Sequence, residues 1–202
     1  MFKGPLQVFF ELNIGSTFNE LTDKWHKEKA IEMLPTQDIH VLLERLHFFN
    51  FSLWHEEDEA RRTDVTDSLI AQVKRNIDKF NQNRNDTIQR IDELLYHLLT
   101  ASNFNLNGGG LNSETPGSMV DRNSIMSLKV FHMNEIATDP KEKEDLRVQC
   151  AKKVLKLREQ QNDLESCVKN LLADIASGQR HFKVYFQFKM YNDPNLNPAL
   201  KK

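Results

Sequence analysis

From Ile70 to Leu98 the apolar residues fall on one helical stripe: Ile70, Val73, Ile77 and Phe80, then Ile88, Ile91, Leu95 and Leu98. Spacings of three and four keep side chains on one face of an α-helix. The phase carries through KRNIDKFNQNRND, residues 74–86, although asparagine costs about 0.5–0.7 kcal/mol per residue against alanine in a helix interior. A helix that broke there would reset the phase. The spacing therefore predicts one helix from about Asp67 to Ala101, roughly 50 Å long at 1.5 Å per residue. A rod of that length buries its stripe only against other long helices. The fold class follows: an all-α, antiparallel bundle of four to five helices. Arg84 is the single charge at a core-phase position of the stripe, and it calls for a partner.

The remaining elements fit that class. A short first helix is expected near residues 17–32, with Ser16 or Thr17 at its start. A second follows Pro35, started by Thr36 and Asp38, and runs to about Arg62 on Ile39, Leu42, Leu46, Phe49 and Leu53. The glycine- and asparagine-rich residues 102–116 read as the longest loop. Thr115 then suits an N-cap and Pro116 the first helical position of a fourth helix that ends near Ile136. A fifth covers about 141–177 and stops at Gly178. Its seam of Cys150, Val154, Leu157, Gln161, Leu164, Val168, Leu171 and Ile175 has a heptad rhythm. Gln161, the polar member, reads as a register-setting residue or as a seam end near solvent. In the last segment Val184, Phe186, Phe188 and Met190 alternate, yet Phe182, Phe186 and Met190 also fit a helix. With no second strand to pair, a short helix and then a docked, irregular tail is expected. The 202 residues read as a single domain, 1–202.

A net charge of −2 argues against nucleic acid or an acidic membrane as the main partner. No apolar run approaches the ~20 residues that span a bilayer, and the N-terminal segment lacks the pattern of a secretory signal. Cys150 and Cys167 stand in no metal-ligand spacing and read as free thiols. The expected location is cytoplasmic.

Three polar constellations could carry chemistry. In LWHEEDEARR, His55, Asp58 and Arg62 share a narrow helical sector at ~100° per residue. Asp58 could orient His55 as a catalytic acid or base, or the pair could give two metal ligands from one helix. The plain alternative is a surface helix end with local ion pairs. Beside the long apolar stripe, Lys74, Asp78, Asn81, Asn85 and Asp92 form a second stripe of short, directional groups, the kind that build buried hydrogen-bond networks. Further on, Arg122, Lys129 and His132 line one face with Asp121 beside them, a cationic row near a capped helix start.

If these stripes converge, they enclose a polar pocket for a phosphorylated or otherwise anionic small metabolite, of sugar or nucleotide type. In that arrangement His55 and Asp58 are the catalytic pair. Arg62, Lys74, Arg84, Arg122 and Lys129 contact the anion, and Asp78, Asn81, Asn85 and Asp121 hold hydroxyls or the network. A divalent metal is the candidate cofactor, with His55, Asp58 and His132 as its ligands. The alternative is a non-catalytic assembly or interaction protein whose stripes are structural and whose long 141–177 helix pairs with a second copy as a homodimer.

ELLYHLL, residues 93–99, resembles one motif of helical nucleotide pyrophosphohydrolases. The match fails because Arg90 and Ala60 stand where magnesium-binding carboxylates belong. GxGxxG, P-loop, HExxH and GxSxG motifs are also missing. LWHEEDEARR, KRNIDKFNQNRNDTIQRID, SETPGSMVDRNSIMSLKVFHM and QFKMYNDPNLNP, spread from about residue 50 to 198, resemble a bacterial family known only as a domain of unknown function. That resemblance implies no activity. It does imply a neighbourhood of glycosyltransferases for cell-surface polysaccharides, and it places Leu where this chain has Asn123.

Overall fold

The structure is a computed structural model and describes residues 7–104, 106, 108–188, 190 and 193–201. The described residues form helices α1 (Gln7–Glu11), α2 (Ile14–Trp25), α3 (Ile39–Glu59), α4 (Asp67–Ala101), α5 (Pro116–Thr138) and α6 (Glu144–Ala176). Two short strands, β1 (Gly110–Leu111) and β2 (Arg180–His181), pair in parallel. Among the described residues no helix is long and apolar enough to cross a membrane.

The starts of three helices are set by capping side chains, two of which, Asp38 and Thr115, the sequence marks. The Asp38 carboxylate accepts from the His40 N–H at 2.8 Å. Thr66 caps α4, and Thr115 accepts from Ser118 N–H at 3.1 Å ahead of Pro116. Each satisfies a backbone donor that a helix start leaves open. The long helix spans Asp67–Ala101 without a break, so the asparagines lie inside it.

The bundle is built around α5, which packs on α2, α3, α4 and α6, while α3 lies along α4. Its apolar interior comes in two parts. The larger joins Phe18, Leu42, Leu43, Leu46, Ile91, Leu95, Leu99, Val168, Leu171 and Ile175. The smaller joins Leu53, Val73 and Ile77. Between them α3 contributes His47 and Asn50, α4 contributes Asn81 and Arg84, and α5 contributes Asp121 and Ser124. Asn81, Asn83 and Asn85 thus fall between Ile77 of the smaller cluster and Ile91 of the larger, while Asn76 donates to Glu56 Oε1 at 3.0 Å.

Two further positions fix how the elements meet. A Cβ on Gly117 would stand 2.6 Å from the Ile88 carbonyl and 2.8 Å from Asp92 Oδ1, so only glycine lets α5 start this close to α4. On the α6 seam, Gln161 Nε2 donates to Ser127 Oγ at 2.8 Å and to Asn19 Oδ1 at 3.1 Å. Gln161 is buried and hydrogen-bonded, so it is not a seam end near solvent. The seam residues Cys150, Val154, Val168, Leu171 and Ile175 are buried within the chain.

Three expectations need correction. The first long helix is Ile14–Trp25, not 17–32, because no apolar stripe continues through residues 26–34 and Ile31 and Leu34 stand exposed. The short α1 has no counterpart in the sequence-based reading. Residues 179–188 are not helical: 180–181 pair with 110–111 and 182–188 take no regular form. The missing strand partner was the glycine-rich loop itself. Gly109 lies there at φ +69°, where a Cβ would meet the Gln179 carbonyl oxygen at 2.0 Å.

Candidate functional site

The polar layer is organised by one chain of hydrogen bonds. Thr22 donates to the Phe18 carbonyl at 2.7 Å, so its oxygen is left to accept from His47 Nε2–H at 2.9 Å. His47 Nδ1 must then accept, and Ser124 Oγ donates to it at 2.8 Å. Asn50 Nδ2 donates to Ser124 Oγ at 2.9 Å and to Asp121 Oδ1 at 2.8 Å. Every link points the same way, from Asn50 towards Phe18, which fixes His47 as the neutral Nε2–H tautomer. Burial holds it down to about 3, with His26 adding to the effect. His47, Ser124 and Asn50 are enclosed, so this chain braces the bundle.

The chain ends at a cavity of about 300 Å³ between α3, α4 and α5, lined by Asn50, Leu53, Trp54, Glu57, Asp58, Arg61, Asn81, Arg84, Ile125 and Leu128. Arg84 has its partner: Asp121 lies 3.9 Å from its Nε. That separation is too long for a hydrogen bond, and the buried Nε has no other partner. Burial pushes the Asp121 carboxyl up, while Arg84 and Asn50 pull it down. At the rim Arg61 pairs with Glu57 Oε2 at 2.8 Å.

On the far side of Trp54 three imidazoles meet. His26 closes α2, His55 sits on α3 and His132 on α5. One ring nitrogen from each lies within 4.8 Å of the other two. The rings are held by aromatic neighbours: His26 stacks on Phe131 at 3.9 Å, and His132 on Trp54 at 4.7 Å with only 6° between planes. His26 Nδ1 donates to the Thr22 carbonyl at 2.8 Å, and His132 Nδ1 faces Glu135 Oε2 at 2.8 Å. The Nε2 atoms of both are buried without a hydrogen-bond partner. Burial, then His132 and His26, hold His55 below the usual histidine range against Asp58 and Glu135. Burial likewise lowers His132 against the pull of Glu135.

The residues singled out from sequence therefore divide. Asn81, Arg84 and Asp58 line the cavity, and Asp121 lies behind Arg84. His55 and His132 meet, but the third imidazole is His26, and Asp58 is not among the three. His55 lines a different cleft, beside Phe51, Val73 and Phe80. The expected acid–base pair thus faces two cavities, linked only by the field of Asp58 at His55. Arg62 is exposed and bound to Glu59 and Asp64 at 3.0 and 2.9 Å. Lys74 and Asp78 form an exposed pair at 2.5 Å, Arg122 and Lys129 are exposed, and Asn85 is half-buried. None of these six residues is among those that line the cavity between α3, α4 and α5. Asp92 is buried elsewhere, accepting from Gly117 N–H at 2.7 Å.

Sequence reasoning missed His26, His47, Asn50, Ser124 and Arg61. Periodicity could not find His26, which sits past the end of its helix. A signal was present nonetheless: both tryptophans precede a histidine, Trp25–His26 and Trp54–His55, and Phe131 precedes His132.

A family profile described as "Protein of unknown function (DUF4254)" matches residues 40–184. The chain belongs to the DUF4254 family. No curated protein and no solved structure matches it significantly. The DUF4254 match runs from the second residue of α3 through α6, and includes the whole cavity, His55 and His132. His26 on α2 lies ahead of the matched DUF4254 residues.

Proposed function

We propose that the protein binds a small phosphorylated metabolite of sugar or nucleotide type in the cavity between α3, α4 and α5. One observation carries the reading: the buried Arg84 Nε has no hydrogen-bond partner, although its guanidinium lines a cavity of about 300 Å³. A buried, unpaired donor is costly, about 1–3 kcal/mol and more when charged, and a phosphate oxygen is the acceptor that a guanidinium fits best. Asn81 and Asn50 add amide groups, and Asp58 offers an acceptor for ligand hydroxyls. That mixture suits a sugar phosphate better than a lipid or a bare anion.

A second reading is a non-catalytic interaction protein whose polar layer only holds the bundle together. The satisfied chain from Asn50 to Phe18 favours it for that part of the layer. Calorimetric titration with inorganic phosphate, pyrophosphate, a hexose phosphate and a nucleoside monophosphate separates the two. The metabolite reading requires saturable binding that Arg84→Gln weakens by at least about tenfold with little change in melting temperature. Loss of stability in Arg84→Gln, with no binding by the wild type, supports the structural role instead.

A further inference from the structure

His26, His55 and His132 come from three helices that are far apart in sequence, yet their ring nitrogens gather within 4.8 Å. Packing alone does not explain this arrangement. The Thr22 carbonyl can only accept, so His26 holds a proton on Nδ1 and Nε2 is the nitrogen left to act as a ligand. The Glu135 carboxylate imposes the same choice on His132. Both Nε2 atoms are buried and unpartnered. Leucine or phenylalanine would fill the space without two buried acceptors, each costing about 1–3 kcal/mol.

Metal-binding histidines are held in this way, with the non-ligating N–H given to a backbone carbonyl or a carboxylate. Here one ring has each kind of support. The donor set is entirely imidazole nitrogen, which suits zinc, copper, nickel or iron rather than magnesium or calcium. A tetrahedral ion with bonds of about 2.0–2.1 Å needs nitrogens roughly 3.3 Å apart, so the rings must close by on the order of 1 Å.

We propose that His26, His55 and His132 bind one divalent transition-metal ion of the zinc class, with a fourth position left for water or substrate. The site goes beyond the metabolite cavity and does not depend on it. Trp54 adjoins both, stacking on His132 and lining the cavity.

The test uses full-length, tag-free protein stripped with a chelator and titrated with Co²⁺, followed by visible absorption. One Co²⁺ per chain is expected, with the intense d–d bands of a low-coordinate site that Zn²⁺ abolishes. His55→Ala, with an unchanged far-UV circular dichroism spectrum, should bind at least about 100-fold more weakly. Should that variant fail to fold, His132→Gln serves as the second. A folded wild type without stoichiometric binding, or binding undiminished in both variants, overturns the proposal.

Discussion

His132 Nδ1 lies 2.8 Å from Glu135 Oε2, one helical turn away on α5, so the ring presents a bare Nε2 towards His26 and His55. If that carboxylate orients a ligand, Glu135→Gln should weaken Co²⁺ or Zn²⁺ affinity by about tenfold, since glutamine still accepts the proton but without the charge. Because Glu135 is exposed, its replacement should barely move the melting temperature. Competition against a chromogenic chelator measures the affinity. An unchanged affinity means that the carboxylate has no supporting role.

Ser124 stands at the junction of the buried chain, donating to His47 and accepting from Asn50. Ser124→Ala leaves a ring nitrogen and an amide N–H unpaired at enclosed positions, which costs about 1–3 kcal/mol. Urea denaturation followed by circular dichroism should show a lower midpoint at unchanged slope. A neutral substitution would mean that the chain does not brace the bundle.

Two buried groups give opposing pH dependences. His47 takes its proton at about 3 when folded, against 6.5 in the unfolded chain. Between those values the unfolded state holds more protons, so stability falls as pH falls, by up to about 1.4 kcal/mol per unit. Asp92 is pushed by burial from 3.8 up to about 7, against its bonds from Thr115 and Gly117. Over that range the folded state holds the extra proton, so stability falls as pH rises. The two slopes offset each other between about pH 4 and 6.5. Asp92→Asn keeps an acceptor for Gly117 but removes one slope. Its melting temperature should exceed the wild type's at pH 8 and drop more steeply between pH 6.5 and 4. Parallel pH profiles would contradict this.

Lys74 serves as a control for the cavity. Its ammonium forms an exposed pair with Asp78 one turn along α4, and such pairs contribute about 0.3–0.5 kcal/mol. Lys74→Ala should leave both stability and phosphate binding unchanged within about 0.5 kcal/mol, where Arg84→Gln should weaken the binding by at least about tenfold. Calorimetry with the same phosphate probes checks it.

How much of this was legible beforehand depended on the kind of information. The long helix, expected from about Asp67 to Ala101, could be read closely, because apolar phase is a local signal. The need of Arg84 for a partner was equally visible, and Asp121 answers its charge at 3.9 Å while its Nε keeps no hydrogen bond. Convergence was not visible. Helix-face arithmetic put His55, Asp58 and Arg62 in one narrow sector, but even a sector of about 60° can face two sides of a packed neighbour. His55 therefore turned to one cleft and Asp58 to the cavity, while Arg62, beyond the end of α3, turned to solvent. His26 depended on where α2 ends and how it crosses α5, a long-range fact that no periodicity carries. The tail was misread because its strand partner, Gly110–Leu111, is too short to leave a pattern.

The most direct test of the three-imidazole site is diffraction from zinc-soaked crystals, recorded on both sides of the zinc absorption edge. The account predicts one anomalous peak per chain within about 2.0–2.2 Å of nitrogens from His26, His55 and His132. Zinc found only at other residues, with these three rings as they stand in its absence, would contradict it.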